Sequence, residues 1–429
     1  MPSLSHCLYN LLVRCAQPLL RRKLARRAVA EPGYAVAVPE RFGHYTQPAE
    51  SRAELVWVHA VSLGESRAAG ILLKALREAL PGVRILLTHG TATGRAEGAR
   101  LLRPGDVQVW QPWDTPAAVQ AFLRHFRPRV GLLMETEVWP NLVLQSARQG
   151  VPVALVNARL SEKSLQSALR WASLMRPTYA ALQAVWAQGE ADAQRLRALG
   201  ARVQAVTGNL KFDARPDGEQ VAQGRAWRAA LQKPVCLLAS SREGEEALWL
   251  AAVAKQPQIL SGAHWLIVPR HPQRVAEVEA LLQAHGLTVS RRSTWTGAGP
   301  SAHGQAQVWL GDSLGEMALY YSLADVALLG GSFEPLGGQN LIEAAACSCP
   351  VVMGLHTFNF LEAAEQAEAA GAARRVPDMD AGVAAAWQLV SEPSGSGEQA
   401  AAAALAFSQA HKGAARRVAG LVQALLAQG

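Results

Sequence analysis

From Arg52 onward, the chain alternates short apolar runs with stretches whose apolar residues recur at helical spacing. The run "ELVWVHAVSLGE" has the pattern of a strand, a loop and the start of a helix, and "VRILLTHGTATGRAEGARLL" repeats that order. Short apolar runs bounded by turn residues predict buried strands, and the periodic stretches between them predict helices. Strands separated by helices of this length predict βαβ units with parallel sheets, whose binding sites lie at the carboxyl ends of the strands.

The alternation divides the chain into two halves. At 429 residues the chain has room for two domains. The pattern pauses over residues 213–232, a polar stretch that we interpret as a linker with a short helix, and it restarts at "PVCLLASSREGEEALWLAAV". We therefore expect an α/β fold with one Rossmann-like domain over residues 39–212 and a second, with closing helices, over 233–429. Two doubly wound domains facing a cleft are typical of GT-B glycosyltransferases and also of two-domain dehydrogenases.

A dinucleotide site can be tested on the sequence. It needs G-x-G-x-x-G directly after an early strand, with an acidic residue about twenty positions later. The two candidate loops, "SLGESRAAG" and "THGTATGRAEG", both lack the G-x-G core, and no Walker A motif is present. These absences disfavour a dehydrogenase and a P-loop enzyme.

Positive charge is concentrated at the amino terminus. The whole chain has 42 basic and 34 acidic residues, a net charge of +8, which indicates a polyanionic partner. The basic residues of the first thirty, which include no acid, are Arg14, Arg21, Arg22, Lys23, Arg26 and Arg27. Apolar residues recur beside them at helical spacing: Leu4, Leu8, Leu11, Leu12, Cys15 and Leu19.

We interpret residues 1–38 as a basic amphipathic helix that lies on an anionic membrane surface. A tail docked on the protein's own core and a weak spanning anchor remain alternatives. No nucleic-acid motif follows the charge, so we expect no nucleic-acid partner.

The second half carries an unusual number of glycines at the end of one predicted strand. Four of them lie within nine positions, Gly330, Gly331, Gly337 and Gly338. Asn340 and Glu343 follow, the latter in the first turn of a predicted helix. One interpretation is that the glycines let a phosphate approach the backbone while Glu343 holds a ribose. The alternative is a tight turn followed by an Asn-capped helix.

Two other strand ends of the second half support a nucleotide site. "WLIVPRHP" leads directly into Arg270, whose guanidinium can clamp a phosphate. "DSLGEM" offers further backbone contacts. An Asp-x-Asp pair, Asp378 and Asp380, resembles the metal motif of some transferases, but it lies away from these loops, and we interpret it as surface. We expect no metal and no cofactor.

The first half has carboxylates where a cleft is expected. Glu65 follows Ser62 in a capping-box pattern, and it could serve as a general base if burial offsets the effect of the helix end on its pKa. Glu135 and Glu137 follow another strand and share a face if the backbone stays extended. Lys211 lies near the junction of the halves, where it could neutralise an anionic donor. Helix capping, a loop hydrogen-bond pair and a solvated hinge charge are the structural alternatives.

Taken together, these motifs resemble the 3-deoxy-D-manno-octulosonic acid (Kdo) transferases of lipopolysaccharide assembly. The resemblance covers nearly the whole chain, through "HAVSLGE", "METEVWPNL", "VNARLSEKS", "TGNLKFD", "VPRHP", "GDSLGEM" and "GGSFEPLGGQNLIEAAACSCPVVMGLHTFNF". It departs from the common family pattern at Gln339 and Arg242, where histidines are usual.

The resemblance implies a metal-independent, inverting GT-B enzyme at the cytoplasmic face of the Gram-negative inner membrane. CMP-Kdo would be the donor and lipid IVA, the lipid A precursor, the acceptor. It also implies a base at Glu65 and transition-state stabilisation by Glu137 and Lys211. The implied CMP contacts are Pro269, Arg270, Leu314, Gly315, Glu316, Asn340, Leu341, Ile342 and Glu343.

Two other functions stay open from the residues themselves. One is another GT-B nucleotide-sugar transferase or a sugar-nucleotide epimerase, which a comparison of CMP, UDP and ADP binding would distinguish. The other is a non-catalytic lipid-A-binding protein, against which the presence of all three candidate catalytic residues argues.

Overall fold

The computed structural model describes residues 4–51, 54–297, 299–300, 306–392 and 395–427. They form two compact units, one comprising the described residues up to Asp213 and those from Gly413 onward, the other spanning Ala214–Lys412. Each unit contains a seven-stranded sheet in which all strand pairs are parallel. The prediction of two doubly wound α/β domains is therefore confirmed.

The first unit alternates strands and helices along the chain. Its elements are α1 (Leu4–Ala30), β1 (Leu55–His59), α2 (Leu63–Ala79), β2 (Arg84–His89), α3 (Ala92–Ala99), β3 (Val107–Trp110), α4 (Pro116–Phe126), β4 (Val130–Met134), α5 (Pro140–Arg148), β5 (Val153–Ala158), α6 (Glu162–Leu169), α7 (Ala172–Ala180), β6 (Ala184–Ala187), α8 (Glu190–Ala198) and β7 (Val203–Val206). A short 3₁₀ turn, Leu210–Asp213, ends this part of the chain. The strand order β3-β2-β1-β4-β5-β6-β7 reverses direction between β1 and β4, the position where doubly wound sheets bind ligands.

The second unit repeats this architecture. Its elements are α9 (Gly218–Ala229), β8 (Val235–Ser241), α10 (Glu245–Lys255), α11 (Pro257–Gly262), β9 (His264–Pro269), α12 (Val275–Ala284), β10 (Val289–Arg291), β11 (Val308–Leu310), α13 (Met317–Leu323), β12 (Val326–Leu329), α14 (Leu341–Ala346), β13 (Val351–Met353), α15 (Leu361–Ala369), β14 (Ala373–Arg375), α16 (Met379–Ser391) and α17 (Ser396–Ala410). The order β10-β11-β9-β8-β12-β13-β14 changes direction between β8 and β12.

Apolar side chains cover both faces of the first sheet, as the uninterrupted hydrophobic runs predict. All five residues of β1 are buried. Trp57 packs with Phe122 and Leu133 on one face, while Val58 packs with Leu72 and Leu132 on the other. The strand ends are therefore held rigidly, which fixes the loops that follow them.

The domain boundaries differ from the prediction at both edges of the second unit. The last helix, α18 (Ala414–Ala427), was expected to close the carboxyl-terminal domain, but its buried Val418 and Val422 belong to the core of the first unit. The carboxylate of Asp213 accepts hydrogen bonds from the backbone N–H groups of Gly413 and Ala415, which anchors the helix there.

The expected linker also contains part of the second unit. Its helix α9 packs against α13 so closely that a Cβ at Gly224 would lie 2.5 Å from the Leu319 carbonyl oxygen. Trp227, from the same helix, is buried. Although this stretch is polar in composition, one face of α9 packs tightly against α13, and the sequence pattern did not predict that packing.

Helix α1 has two distinct faces. Its inner face is tied to the first unit by polar side chains: His6 Nε2 lies 2.8 Å from Asn141 Oδ1, and Tyr9 donates to Asp114 at 2.7 Å. The predicted apolar stripe faces outward, with Leu4 88% and Leu19 70% exposed. Across the ranges given above, no helix is both long enough and apolar enough to cross a membrane.

Candidate active site

A buried hydrogen-bond chain begins at the carboxyl end of β1. The indole N–H of Trp57 donates to Thr88 Oγ1 at 2.8 Å, and Thr88 Oγ1 also lies 2.8 Å from His59 Nδ1. Because Thr88 accepts from the indole, its own hydrogen is available to His59 Nδ1. This arrangement favours the tautomer with hydrogen on Nε2, which lies 3.8 Å from Glu137 Oε2.

Glu65 lies in the first turn of α2, directly after β1. Ser62 caps the helix by accepting from the Glu65 backbone N–H at 3.3 Å, while Glu65 Oε2 accepts from the Val61 N–H at 2.6 Å. The capping pattern is thus confirmed, but the pKa of Glu65 is not lowered, as it would be by a helix end alone. Burial, and secondarily the charge of Glu137, raise the pKa of Glu65 from 4.5 to about 7.

Glu137 lies in the loop after β4 and is held from two sides. Trp139 donates its indole N–H to Glu137 Oε2 at 2.8 Å, and His59 faces the same oxygen. Burial by itself raises the pKa of Glu137, but His59 and Trp139 outweigh it and leave the pKa below its ordinary value. Glu137 and Glu65 therefore differ in acidity, which is the condition under which one stays charged while the other exchanges a proton.

Glu135 does not share a face with Glu137 as an extended strand would require. β4 ends at Met134, and Glu135 has a left-handed backbone with φ 54°. Its carboxylate turns instead to two cations, accepting from Arg159 Nε at 2.7 Å and lying 3.4 Å from Lys211 Nζ. Lys211 is thus paired with Glu135, a partner that the sequence did not indicate.

The three predicted catalytic residues all lie in the first unit. Glu65 and Glu137 interact with each other, and Glu135, which also raises the pKa of Glu65, links them to Lys211. Sequence reasoning assigned no role to His59, Trp139 or Arg159. The available signal was their position, because His59 ends a strand and Trp139 closes the same loop as Glu137.

The predicted nucleotide contacts lie at the carboxyl ends of three strands in the second unit. Arg270 follows β9, and its backbone N–H donates to the Ser241 carbonyl at 2.9 Å. The charges of Glu343 and Arg270 both act on the pKa of the buried Tyr321, so these two predicted residues lie in the same region of the second unit. Pro269, directly before Arg270, is the last residue of β9.

The loop after β11 is held by hydrogen bonds from other segments of the second unit. Glu316 accepts a hydrogen bond from Arg292 at 2.9 Å, and the Gly315 carbonyl accepts from the Gln220 amide at 2.9 Å. Gly315 has φ 80°, a conformation that favours glycine, and the neighbouring Leu314 is 78% exposed. The loop therefore presents an exposed apolar side chain on a backbone that its neighbours hold in place.

The last group of predicted contacts belongs to helix α14. Asn340 caps it by accepting from the Ile342 N–H at 3.1 Å, which confirms the Asn-capped alternative. The side chains of Leu341 and Ile342 are buried, so only their backbone can meet a ligand. Glu343 stays partly exposed in the first turn.

The glycines before α14 serve the protein's own packing. A Cβ at Gly330 would lie 2.3 Å from the Ser240 carbonyl oxygen, and one at Gly337 would lie 2.4 Å from the Asn359 amide. The Gly331 N–H donates at 2.7 Å to the buried carboxylate of Glu245. Close contacts within the protein therefore account for these three glycines, and the interpretation that the loop admits a phosphate stays a prediction.

The Asp-x-Asp pair is occupied by structural contacts. Asp378 caps α16 by accepting from the Ala381 N–H at 2.8 Å, and Asp380 pairs with Lys255 on the surface. Within the described ranges, no group of three His, Cys, Asp or Glu residues is arranged to hold a metal ion.

Comparison with known proteins identifies the family. A sequence model described as "3-Deoxy-D-manno-octulosonic-acid transferase (kdotransferase)" matches residues 37–214. The 3-deoxy-D-manno-octulosonic acid transferase of Bordetella pertussis is 47% identical over 423 residues, covering 95% of this chain and 96% of that protein. The chain belongs to the Kdo transferase family.

Solved structures show that the fold alone would not have distinguished a Kdo transferase from the epimerase alternative. The crystal structure of UDP-GlcNAc 2-epimerase from Neisseria meningitidis matches with a TM-score of 0.58 at 16% identity, covering 87% of this chain and 100% of the other. A glycosyltransferase from Rickettsia africae matches with a TM-score of 0.57 at 12% identity, covering 89% and 100%. Both share the GT-B type of fold, and the sequence relationship decides the family.

Proposed function

We propose that this Kdo transferase moves Kdo from CMP-Kdo to lipid IVA with inversion at the anomeric carbon, and that Glu65 is the general base. Membership of the Kdo transferase family supports the transferred sugar, and the observation that carries the role of Glu65 is its position after β1, where Glu65 Oε2 accepts from the Val61 N–H and burial raises its pKa to about 7. A base with a pKa near the working pH is ionised in a large share of molecules and still binds a proton well.

The proposed reaction is a single displacement. Glu65 takes the proton of a lipid IVA sugar hydroxyl while that oxygen bonds to the anomeric carbon of Kdo. The bond from the anomeric carbon to the phosphate oxygen breaks, and CMP leaves with the electron pair. Glu137 stays ionised and stabilises positive charge on the reacting sugar, while the ammonium of Lys211 offsets the negative charge of the donor and of the leaving phosphate.

We propose that the second unit binds the CMP moiety. The placement of Arg270, Glu316 and Glu343 at the carboxyl edge of one parallel sheet supports this role. Arg270 suits the phosphate because its donors form a planar fork, and Glu343 suits the ribose hydroxyls because a carboxylate accepts from two donors. Replacing Arg270 by Gln should weaken CMP binding at least tenfold by calorimetry, because a charged hydrogen bond is lost.

We propose that no metal ion takes part. The ammonium of Lys211 can supply the positive charge that a metal ion would otherwise provide, and the sugar nucleotide is a monophosphate with little charge to bridge. The rate of transfer should be unchanged after treatment with EDTA, and a loss restored by a divalent cation would contradict this assignment.

We also propose that α1 attaches the enzyme to the anionic cytoplasmic face of the inner membrane. Its outward leucines and its basic residues support an orientation in the membrane interface. Changing Leu11 and Leu12 to Ser should reduce flotation with phosphatidylglycerol vesicles, while the same change at the exposed Leu248 of the second unit should not. Equal flotation of both variants would contradict this orientation.

The reaction itself is tested by incubating the purified chain with CMP-Kdo and lipid IVA and recording the lipid by mass spectrometry. The expected product carries the mass of one or more Kdo residues, and CMP appears in the same amount as transferred Kdo. Unchanged lipid in the presence of intact CMP-Kdo would refute the proposed donor and acceptor pair.

A further inference from the structure

Two non-glycine residues at the carboxyl edge of the first sheet have left-handed backbones. Glu135, directly after β4, has φ 54°, and Asn157, near the end of the neighbouring β5, has φ 52°. The pairing of β5 with β6 shifts its register between Leu155 and Ala158, so the backbone bulges at Asn157. A non-glycine residue in this conformation costs about 1–3 kcal/mol, least for Asn, and such strain persists where the surrounding structure imposes it.

Both conformations serve the segment that carries Lys211. The side chain of Asn157 accepts from the Leu210 N–H at 3.0 Å, which fixes the 3₁₀ turn one residue before Lys211. The carboxylate of Glu135 lies 3.4 Å from Lys211 Nζ. The backbone of Glu135 is itself held, because its N–H donates to the Val156 carbonyl at 3.0 Å.

The charges around Glu135 are not balanced one to one. Its side chain is only 3% exposed and meets two cations, Arg159 at 46% and Lys211 at 24% side-chain exposure. The two cations use different oxygens of the carboxylate, since Arg159 donates to Glu135 Oε2 while Lys211 faces Oε1. Glu135 can therefore hold the Lys211 ammonium with one oxygen while Arg159 fixes the orientation of its carboxylate.

We propose that Glu135 is a positioning residue, which with Asn157 holds the Lys211 ammonium where it neutralises the departing phosphate. The inference rests on the proposed function of Lys211. Glu135 does not touch the reacting atoms and acts through Lys211. The backbone strain at Glu135 is then the consequence of aiming its carboxylate at the lysine.

The test separates positioning from a structural role by using Asn at position 135. Asn adopts the left-handed conformation more readily than Glu, which offsets part of the stability lost with the two ion pairs, so the melting temperature of Glu135→Asn should fall by no more than a few degrees. The substitution also shortens the side chain and removes its charge. We therefore expect kcat to fall about 10- to 100-fold, the usual effect of losing a residue that orients another. The KM for CMP-Kdo should stay within about twofold of its value in the unaltered chain. A loss of stability that parallels the loss of rate would overturn the proposal.

A matched control exists in the same unit. Arg127 ends α4 with a left-handed φ of 44°. It lies directly before the amino end of β4, opposite the edge that carries Glu135. Arg127→Asn should leave kcat unchanged, because the same backbone conformation there has no link to Lys211. A comparable fall in kcat would show that the effect at Glu135 is not specific.

A double-mutant cycle tests whether Glu135 acts through Lys211. If it does, the variant with both Glu135→Asn and Lys211→Gln should be no slower than Lys211→Gln alone. Multiplicative losses would show that Glu135 acts independently and would overturn the proposal.

Chemical labelling distinguishes this inference from the proposed function of Lys211. Acetic anhydride should label Lys211 several times faster in Glu135→Asn than in the unaltered chain, as measured by mass spectrometry, with the exposed Lys74 as internal reference. If labelling rises but Lys211→Gln transfers Kdo at the normal rate, the catalytic role of Lys211 fails while its positioning by Glu135 stands. Unchanged labelling refutes the positioning itself.

Discussion

The acidity of Glu65 should depend on the charge of Glu137, and the variant Glu137→Gln tests this dependence. Gln keeps the size of the side chain and can still accept the indole N–H of Trp139, which donates at 2.8 Å. The substitution removes only the negative charge. Because a nearby negative charge makes a carboxyl harder to ionise, its loss should lower the pKa of Glu65.

The direction of the shift follows from the causes of the raised pKa, and its size from the strength of a nearby like charge. The pKa of Glu65 lies at about 7, raised from 4.5 by burial first and by Glu137 second. A like charge in a partly buried site, at an effective dielectric constant near 20, contributes on the order of 1–2 kcal/mol, or about one pH unit. Burial remains in the variant, so the pKa should fall to about 6 rather than to the ordinary value.

The assay is the rate of Kdo transfer between pH 5 and pH 8.5, normalised to each variant's own maximum. Transfer needs ionised Glu65, so the rate falls as the pH drops through its pKa. The acid limb should therefore lie near pH 7 in the unaltered chain and about one unit lower in Glu137→Gln. The absolute rate also falls, because Glu137 contributes to catalysis in the proposed mechanism.

Glu162→Gln, which removes an exposed carboxylate from the same unit, is the matched control and should leave the limb in place. A limb that stays near pH 7 in Glu137→Gln, or that moves to higher pH, would refute the coupling between the two carboxyls.

Three further predictions concern stability. Glu65→Gln should stabilise the chain by about 1–3 kcal/mol at pH 8 but not at pH 5, as measured by urea titration. The reason is that the pKa of Glu65 is raised to about 7 in the folded chain, so its ionisation costs folding free energy as the pH rises from 4.5 through 7. Equal effects at both pH values would contradict this prediction. Gly330→Ala should destabilise by several kcal/mol, since its Cβ would lie 2.3 Å from the Ser240 carbonyl oxygen. Gly420→Ala, with nothing within 4 Å of the new Cβ, should instead stabilise α18 by about 1 kcal/mol. If Gly330→Ala and Gly420→Ala changed the free energy of unfolding in the same direction, the packing described here would be wrong. Asp213→Ala should cost about 1–2 kcal/mol and speed hydrogen exchange in α18, because the N–H groups of Gly413 and Ala415 at the start of the helix lose their acceptor. Unchanged exchange would show that Asp213 does not anchor the helix.

The sequence predicted the architecture well because parallel sheets bury both faces of their strands. The run from Leu55 to Val58 is apolar, and all five residues of β1 are buried, as expected. The prediction failed for α18, because the amphipathic pattern of a helix shows that it packs but not against which sheet. Only the contacts with Asp213 and the first core decide that placement.

The sequence predicted which residues form the candidate site, but not which of their side chains pair with one another. Ser62 and Glu65 were correctly read as a capping pair. Whether burial or the helix end controls the acidity of Glu65 depends on distant residues, and the structure shows that burial does. The pairing of Lys211 with Glu135 depends on a left-handed φ that sequence spacing does not encode.

The glycine-rich loop of the second unit illustrates the same limit. Four glycines at a strand end are compatible both with a bound phosphate and with close backbone packing. The contacts of Gly330 with Ser240 and of Gly331 with Glu245 favour packing. Local sequence could not distinguish these explanations, because Glu245 comes from α10, far away along the chain.

The most direct test of the account is the single-turnover rate of Kdo transfer by Glu65→Gln, measured together with CMP affinity. If Glu65 is the base, transfer from CMP-Kdo to lipid IVA should fall at least 100-fold, since general-base catalysis contributes about 10²–10⁴. CMP affinity should stay within about twofold, because the proposed nucleotide contacts belong to the second unit. Transfer at an undiminished rate by a folded Glu65→Gln variant would contradict the proposed mechanism.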